Sequence, residues 1–101
     1  LIGVLEAHLN LQGVTSLKAK RSIIKSLMGR IKSRFNVSIS EVDHQDSKAV
    51  AVLGLAIVSN DARFLDQQMD TIRDFIEVTD DAFWGRLNEK RLAVLFRSAL
   101  I

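Results

Sequence analysis

The residues best suited to chemistry in this 101-residue chain are lysines and arginines clustered in its first half. Positions 7–40 contain no aspartate or glutamate but hold seven basic residues, namely Lys18, Lys20, Arg21, Lys25, Arg30, Lys32 and Arg34. Like charges at helical spacing repel one another, so such a run favours an anionic partner. The remaining residues, 41–101, hold seven bases and eleven acids. This asymmetry is typical of polyanion binding, although a basic helix beside an acidic helix explains it equally well.

Four of these cations lie near the start of a predicted helix and are the candidate phosphate-binding or RNA-binding residues: Lys18, Lys20, Arg21 and Lys25. Phosphate contacts require clustered cations on a rigid element, and the first turn of a helix adds free N–H groups and the positive end of its dipole. We therefore predict a non-enzymatic protein that binds RNA or the ribosome through this helix. The alternative is a solvated face partly neutralised by acids of the second helix, Asp66, Asp70 and Asp74.

Catalysis has weaker support in the sequence. His44 with Asp43 and Asp46 could bind a divalent metal or act as a general base, but acidic hairpins are usually soluble turns. The absence of cysteine excludes disulfides, thiolate nucleophiles and cysteine zinc sites. We predict no enzyme activity, no metal and no cofactor, and we identify no small-molecule substrate.

An acylphosphatase-like enzyme is a further alternative, because residues 12–14 are similar to the phosphate loop of those enzymes. Their reaction needs an arginine shortly after that loop to hold the acyl phosphate. Ser16 and Leu17 stand at the corresponding positions here, and no matching asparagine motif follows. These differences argue against this alternative.

Hydrophobic periodicity predicts the elements that must position these residues. Apolar residues alternate over 2–11 and 37–42, a continuous apolar run covers 48–59, and 91–101 is favoured as a fourth strand. Two helices are predicted, one capped by Ser16 and one capped within 59–61 and ending near Val78. Residues 79–90 have turn character. This order predicts one domain over 1–101 with a ferredoxin-like α+β sandwich, a four-stranded antiparallel sheet with two helices on one face. The first and third strands are expected in its centre.

Each predicted helix has an apolar stripe that should face the sheet. The stripes consist of Leu17, Ile24, Leu27, Met28, Ile31 and Phe35 in the first helix, and of Ala62, Leu65, Met69, Ile72 and Ile76 in the second. Gly29 interrupts the first helix at a cost of roughly 1 kcal/mol relative to alanine. Close packing of another backbone would explain this glycine.

The face of the sheet without helices should carry small apolar side chains. Ferredoxin-like proteins that read RNA on the sheet stack bases on aromatic residues of the central strands, and this chain has none there. An apolar face left in water promotes association, so we predict a homodimer through the sheet face or an edge strand. The alternative to RNA binding is therefore a protein-protein assembly module with no nucleic-acid role. The predicted interface residues are Val4, His8, Val50, Val52 and Ala56.

Four sequence blocks resemble the YlxP-like family of small bacterial proteins: SLKAKR at 16–21, RFNVS at 34–38, EVDHQD at 41–46 and VSNDARF at 58–64. The resemblance covers residues 2–77. It implies a ferredoxin-like fold and no assigned activity. Genes of the family tend to lie beside those of transcription and translation factors, which implies an RNA-related role by association.

The opening residues argue against export and membrane insertion. The segment 1–11 has no basic flank, contains Glu6 and His8, and is too short to span a bilayer. We therefore expect a cytoplasmic protein with no membrane partner.

Overall fold

The fold follows the predicted order of elements. The computed structural model describes residues 1–11, 13–84 and 93–100. In chain order the elements are β1 (Ile2–Asn10), α1 (Leu17–Arg34), β2 (Ser38–Asp43), β3 (Val50–Val58), α2 (Ala62–Trp84) and β4 (Ala93–Leu100). The sheet has the strand order β2-β3-β1-β4, and all neighbouring strands are antiparallel. This confirms the ferredoxin-like α+β sandwich with β1 and β3 in the centre.

Polar caps define where both helices begin. The Ser16 side chain accepts a hydrogen bond of 3.1 Å from the Ala19 N–H, as expected for an N-cap. At α2, Asp61 Oδ1 accepts hydrogen bonds from the N–H groups of Arg63 and Phe64. Each cap satisfies backbone donors that the helix itself leaves without partners.

The core lies between the helices and one face of the sheet. Alternate residues of β1 and β3 are buried there, and both helices cover them with apolar stripes; the buried members are Leu5, Ala7, Leu9, Leu53, Leu55, Ile57, Ile24, Ile31, Leu65, Met69, Ile72 and Ile76. At the end of α1, the ring of Phe35 makes an edge-to-face contact with the ring of Phe75 in α2, with the ring centres 5.7 Å apart. Ala62 is exposed, so its assignment to the buried stripe is wrong; it is the first residue of α2.

The second helix is longer than predicted, because it continues past Val78 to Trp84. Residues 79–84 contain neither glycine nor proline. Extending an existing helix fixes one residue for each hydrogen bond gained, so it continues until a residue terminates it. The turn predicted over 79–90 is therefore wrong for residues 79–84, and its remainder, 85–90, lies outside the described residues.

Gly29 lies at an exposed position of α1 and packs against nothing. A methyl group at its Cα would meet no atom within 4 Å, which overturns the explanation by close packing. We expect Gly29→Ala to raise the free energy of unfolding by about 0.5–1 kcal/mol, because alanine loses less backbone entropy on helix formation. Urea unfolding followed by circular dichroism measures the change.

Gly54→Ala is the matched control for this substitution. Its new methyl group would lie 2.9 Å from Cγ1 of Val42, so no gain in stability is expected there. A Gly29→Ala protein no more stable than the wild type would contradict the prediction.

Candidate nucleic-acid interface

Four basic side chains of α1 lie along one exposed side of the helix. Lys18, Arg21, Lys25 and Lys32 follow one another at intervals of three, four and seven residues, which places them in a single row. At 1.5 Å per residue, the row is about 21 Å long. All four side chains are exposed. We call these four residues the cationic row.

Lys20 does not belong to this site, and its prediction as a phosphate-binding residue is wrong. The side chain is 1% exposed, and its Nζ donates a hydrogen bond of 2.6 Å to the backbone carbonyl of His44. The same Nζ lies 3.0 Å from Oε2 of Glu41, an oxygen that is itself buried. Both partners belong to the chain, so Lys20 has no free charge to offer an external anion.

The position of Lys20 in the helix explains its burial. It precedes Ile24 by four residues and Ile31 by eleven, and these two are among the most buried residues of α1. Residues at these intervals share one face of a helix. The spacing of the apolar residues in α1 therefore already indicated that Lys20 points inward. Which groups it contacts depends on the position of β2 and the hairpin that follows it.

The hairpin between β2 and β3 is held as a compact turn. His44 has a φ of 58°, the one positive φ among the described non-glycine residues. Its N–H donates to Oδ1 of Asp43 at 2.8 Å, and its carbonyl accepts from the N–H of Ser47 and from Nζ of Lys20. The hydrogen bond from Nζ of Lys20 thus fixes the strained residue of this turn to α1.

These contacts give a structural role to the hairpin, where a metal or acid-base site was weighed from the sequence. Nε2 of His44 lies 3.9 Å from Oδ2 of Asp43, and both side chains are exposed. Asp46 is exposed as well. No three potential metal-binding side chains come together in the described part of the chain. Gln12, from the loop compared with acylphosphatases, lies outside the described residues.

The acidic face of α2 does not neutralise the cationic row. Asp70 pairs with Arg73 of its own helix, and Arg73 also donates to the hydroxyl of Ser98 in β4. Within residues 1–11, 13–84 and 93–100, no ion pair joins the cationic row to Asp66, Asp70 or Asp74. Where the helices meet beside the contact between Phe35 and Phe75, the guanidinium of Arg34 lies 4.9 Å from the ring centre of Phe75. The row therefore faces solvent.

The predicted interface residues share the face of the sheet opposite the helices, which we call the helix-free face. Val4 is opposite Ala56 in the β1–β3 register and His8 is opposite Val52, while Val50 follows on the same side. Val52 is only 2% exposed, so its prediction as an interface residue is wrong; it is enclosed within the chain. The other four are partly exposed. Nε2 of His8 lies 3.5 Å from Oε2 of Glu6, which adds a polar pair to this face.

Three more exposed apolar side chains lie on this face and were not among the predicted interface residues. Ile2 and Val58 are opposite one another in the β1–β3 register and are 40% and 78% exposed. Val42, 50% exposed, lies over Gly54 at the irregularity in β2 between Glu41 and Asp43. Ile2 is the first residue of β1 and Val58 is the last residue of β3. The direction of the Val42 side chain depends on a β-bulge, which hydrophobic periodicity does not predict.

Comparison with known proteins places the chain in a family. A family model described as "Protein of unknown function (DUF503)" matches residues 2–84. The chain belongs to this family. It is also 32% identical over 77 residues to "Uncharacterized protein YlxP" of Bacillus subtilis (strain 168), an alignment that covers 76% of this chain and 84% of the relative. These matches confirm the YlxP-like resemblance, and this DUF503 family has no assigned function.

Two solved structures are similar to this DUF503 protein. The de novo designed protein Foldit4 has a TM-score of 0.59 and 16% sequence identity, with 100% of this chain and 99% of the design covered. A dimeric ferredoxin-like protein from an uncultured marine organism has a TM-score of 0.49 and 10% identity, with 100% and 94% covered. At this level of identity the design supports the fold alone. Neither α1 nor α2, the helices in the described ranges, is long and apolar enough to cross a bilayer.

Proposed function

We propose that this protein is a non-enzymatic cytoplasmic module that binds RNA, free or in the ribosome, through the cationic row. The observation that carries the proposal is the exposure of four cations on one side of a helix without an acidic partner among the described residues. Like charges in such a row repel one another. An RNA backbone would relieve this repulsion by placing phosphates beside the cations.

The packing of α1 suits it to this role. A neighbouring face of the helix is anchored by Ile24 and Ile31 in the core and by the ion pair between Lys20 and Glu41. The row is therefore presented on a rigid element, and binding does not require the helix to form. Electrostatic binding of this kind releases counterions from the RNA and weakens as salt rises.

A salt titration of binding to purified bacterial ribosomal RNA tests the proposal. We expect the logarithm of the association constant to fall linearly with the logarithm of salt concentration, with a slope of roughly −3 for four phosphate contacts. Replacing Lys18, Arg21 and Lys25 with glutamine should bring the slope to about −1, because only Lys32 remains. Filter binding between about 50 and 200 mM salt measures both slopes.

Lys48→Gln/Arg63→Gln is the control, because it also removes exposed positive charge but outside the cationic row. Its slope should stay close to that of the wild type. Equal slopes for the triple variant and the wild type would overturn the proposal, as would wild-type binding that does not depend on salt.

A second candidate function is assembly into a homodimer through the helix-free face. The observation in its favour is the group of exposed apolar residues Ile2, Val42 and Val58, which continues over Val4 and Ala56. Contiguous apolar surface of this kind on a small protein favours association with another protein surface. This assembly leaves Lys18, Arg21 and Lys25 of the cationic row accessible, because they lie on α1, across the sheet.

A further inference from the structure

A groove opens where the cationic row reaches the edge of the sheet. It has a volume of about 530 Å³ and lies between the end of α1, the start of β2 and the end of β3. Its lining consists of Lys32, Asn36, Val37, Ser38, Ile39, Ala56 and Val58. The volume is within the range of about 300–1,000 Å³ that small-molecule pockets occupy. Lys32 belongs to both the groove and the cationic row.

The groove combines the three kinds of contact that a nucleotide requires. Lys32 supplies a cation for a phosphate, and the side chains of Val37 and Val58 offer apolar surface to the face of a base. Asn36 and Ser38 carry uncharged donors and acceptors, and neither side chain makes a hydrogen bond elsewhere in the described part of the chain. An amide and a hydroxyl of this kind can hydrogen-bond to a base edge.

We propose that this groove holds one nucleotide of a single-stranded RNA whose preceding phosphates follow the cationic row. This inference rests on the proposed function and adds the class of RNA. In a duplex the bases are stacked and their pairing edges are occupied, so a base can enter the groove only from a single strand or a loop. Continuity of positive charge from Lys18 to Lys32 favours a nucleic acid over an extended peptide at this edge.

The double variant Asn36→Ala/Ser38→Ala tests this inference, because it removes the hydrogen-bonding groups and leaves every charge in place. Loss of two neutral hydrogen bonds should weaken binding to a short single-stranded RNA of mixed sequence about tenfold. The salt dependence should be unchanged, since Lys32 remains. Binding to the same strand annealed to its complement should also be unchanged. Fluorescence anisotropy with both labelled RNAs measures these affinities.

The control is Ser40→Ala/Asn60→Ala, the same two changes at exposed positions outside the groove, and it should bind both RNAs as the wild type does. A wild type that binds neither RNA would overturn the proposed function itself. Salt-dependent wild-type binding with no loss in the groove variant would overturn only the nucleotide site. An equal loss of affinity for single-stranded and duplex RNA in the groove variant would also overturn the nucleotide site. So would a groove variant that changes self-association in sedimentation but leaves RNA binding unchanged.

Discussion

Replacing Lys20 with alanine is expected to lower the free energy of unfolding by about 3 kcal/mol. The substitution leaves Oε2 of Glu41 buried without its countercharge and removes one donor from the carbonyl of His44. Breaking a buried ion pair by removing one partner costs about 3–5 kcal/mol, and the partial exposure of Glu41 places this pair at the lower end. Chemical denaturation followed by circular dichroism measures the loss.

Two further variants separate the buried ion pair from a general effect of charge. Lys18→Ala removes an exposed lysine from the same helix turn and should change stability by less than about 0.5 kcal/mol. Lys20→Met/Glu41→Leu replaces both charges with apolar groups and should recover most of the lost stability, because no charge is then left buried without a partner. A Lys20→Ala protein as stable as Lys18→Ala would show that the ion pair does not hold the hairpin to α1.

The double variant Ile2→Lys/Val42→Lys is expected to leave the protein monomeric at concentrations where the wild type is a dimer. Both residues are exposed apolar side chains of the helix-free face. In a symmetric dimer each substitution appears twice, so four lysines would have to be buried or would repel one another across the interface. Burial of even one charge without a partner costs several kcal/mol. The dissociation constant of the dimer should therefore rise more than about a thousandfold. Sedimentation equilibrium gives the association state.

Phe64→Lys provides the matched control, because Phe64 is an exposed apolar residue of α2, away from the helix-free face. This variant should sediment as the wild type does. A wild type that is monomeric at high concentration would contradict the dimer directly. A double variant that remains a dimer would place the interface elsewhere on the protein, for example at an edge strand.

The elements and their order could be predicted from local patterns. Alternation in β1 predicted its buried side, and Leu5, Ala7 and Leu9 are buried there. The hydroxyl of Ser16 caps α1 as its position indicated. These predictions succeed because burial of one face imposes a period on the sequence, and because caps depend on residues within one turn of the helix.

The candidate site was predicted only in part. Lys18, Arg21 and Lys25 are exposed as expected, since they lie off the apolar period of α1. Lys20 was assigned to the same cluster because it lies in the first turns of α1, where free N–H groups and the helix dipole favour an anion. Its partner, Glu41, lies on another element, and no local pattern connects the two residues. The groove at Asn36 and Ser38 was likewise not predicted, because its walls come from three elements.

The sequence by itself determined the family, the order of the elements, the strands at the centre of the sheet and the segment that carries the surplus of positive charge. Only the tertiary structure decided which of those charges face solvent, which apolar residues remain on the helix-free face, and that a groove continues the cationic row. The physical reason is the range of the interactions. Periodicity and capping act within a few residues, whereas ion pairs, burial and grooves depend on residues that only the fold brings together.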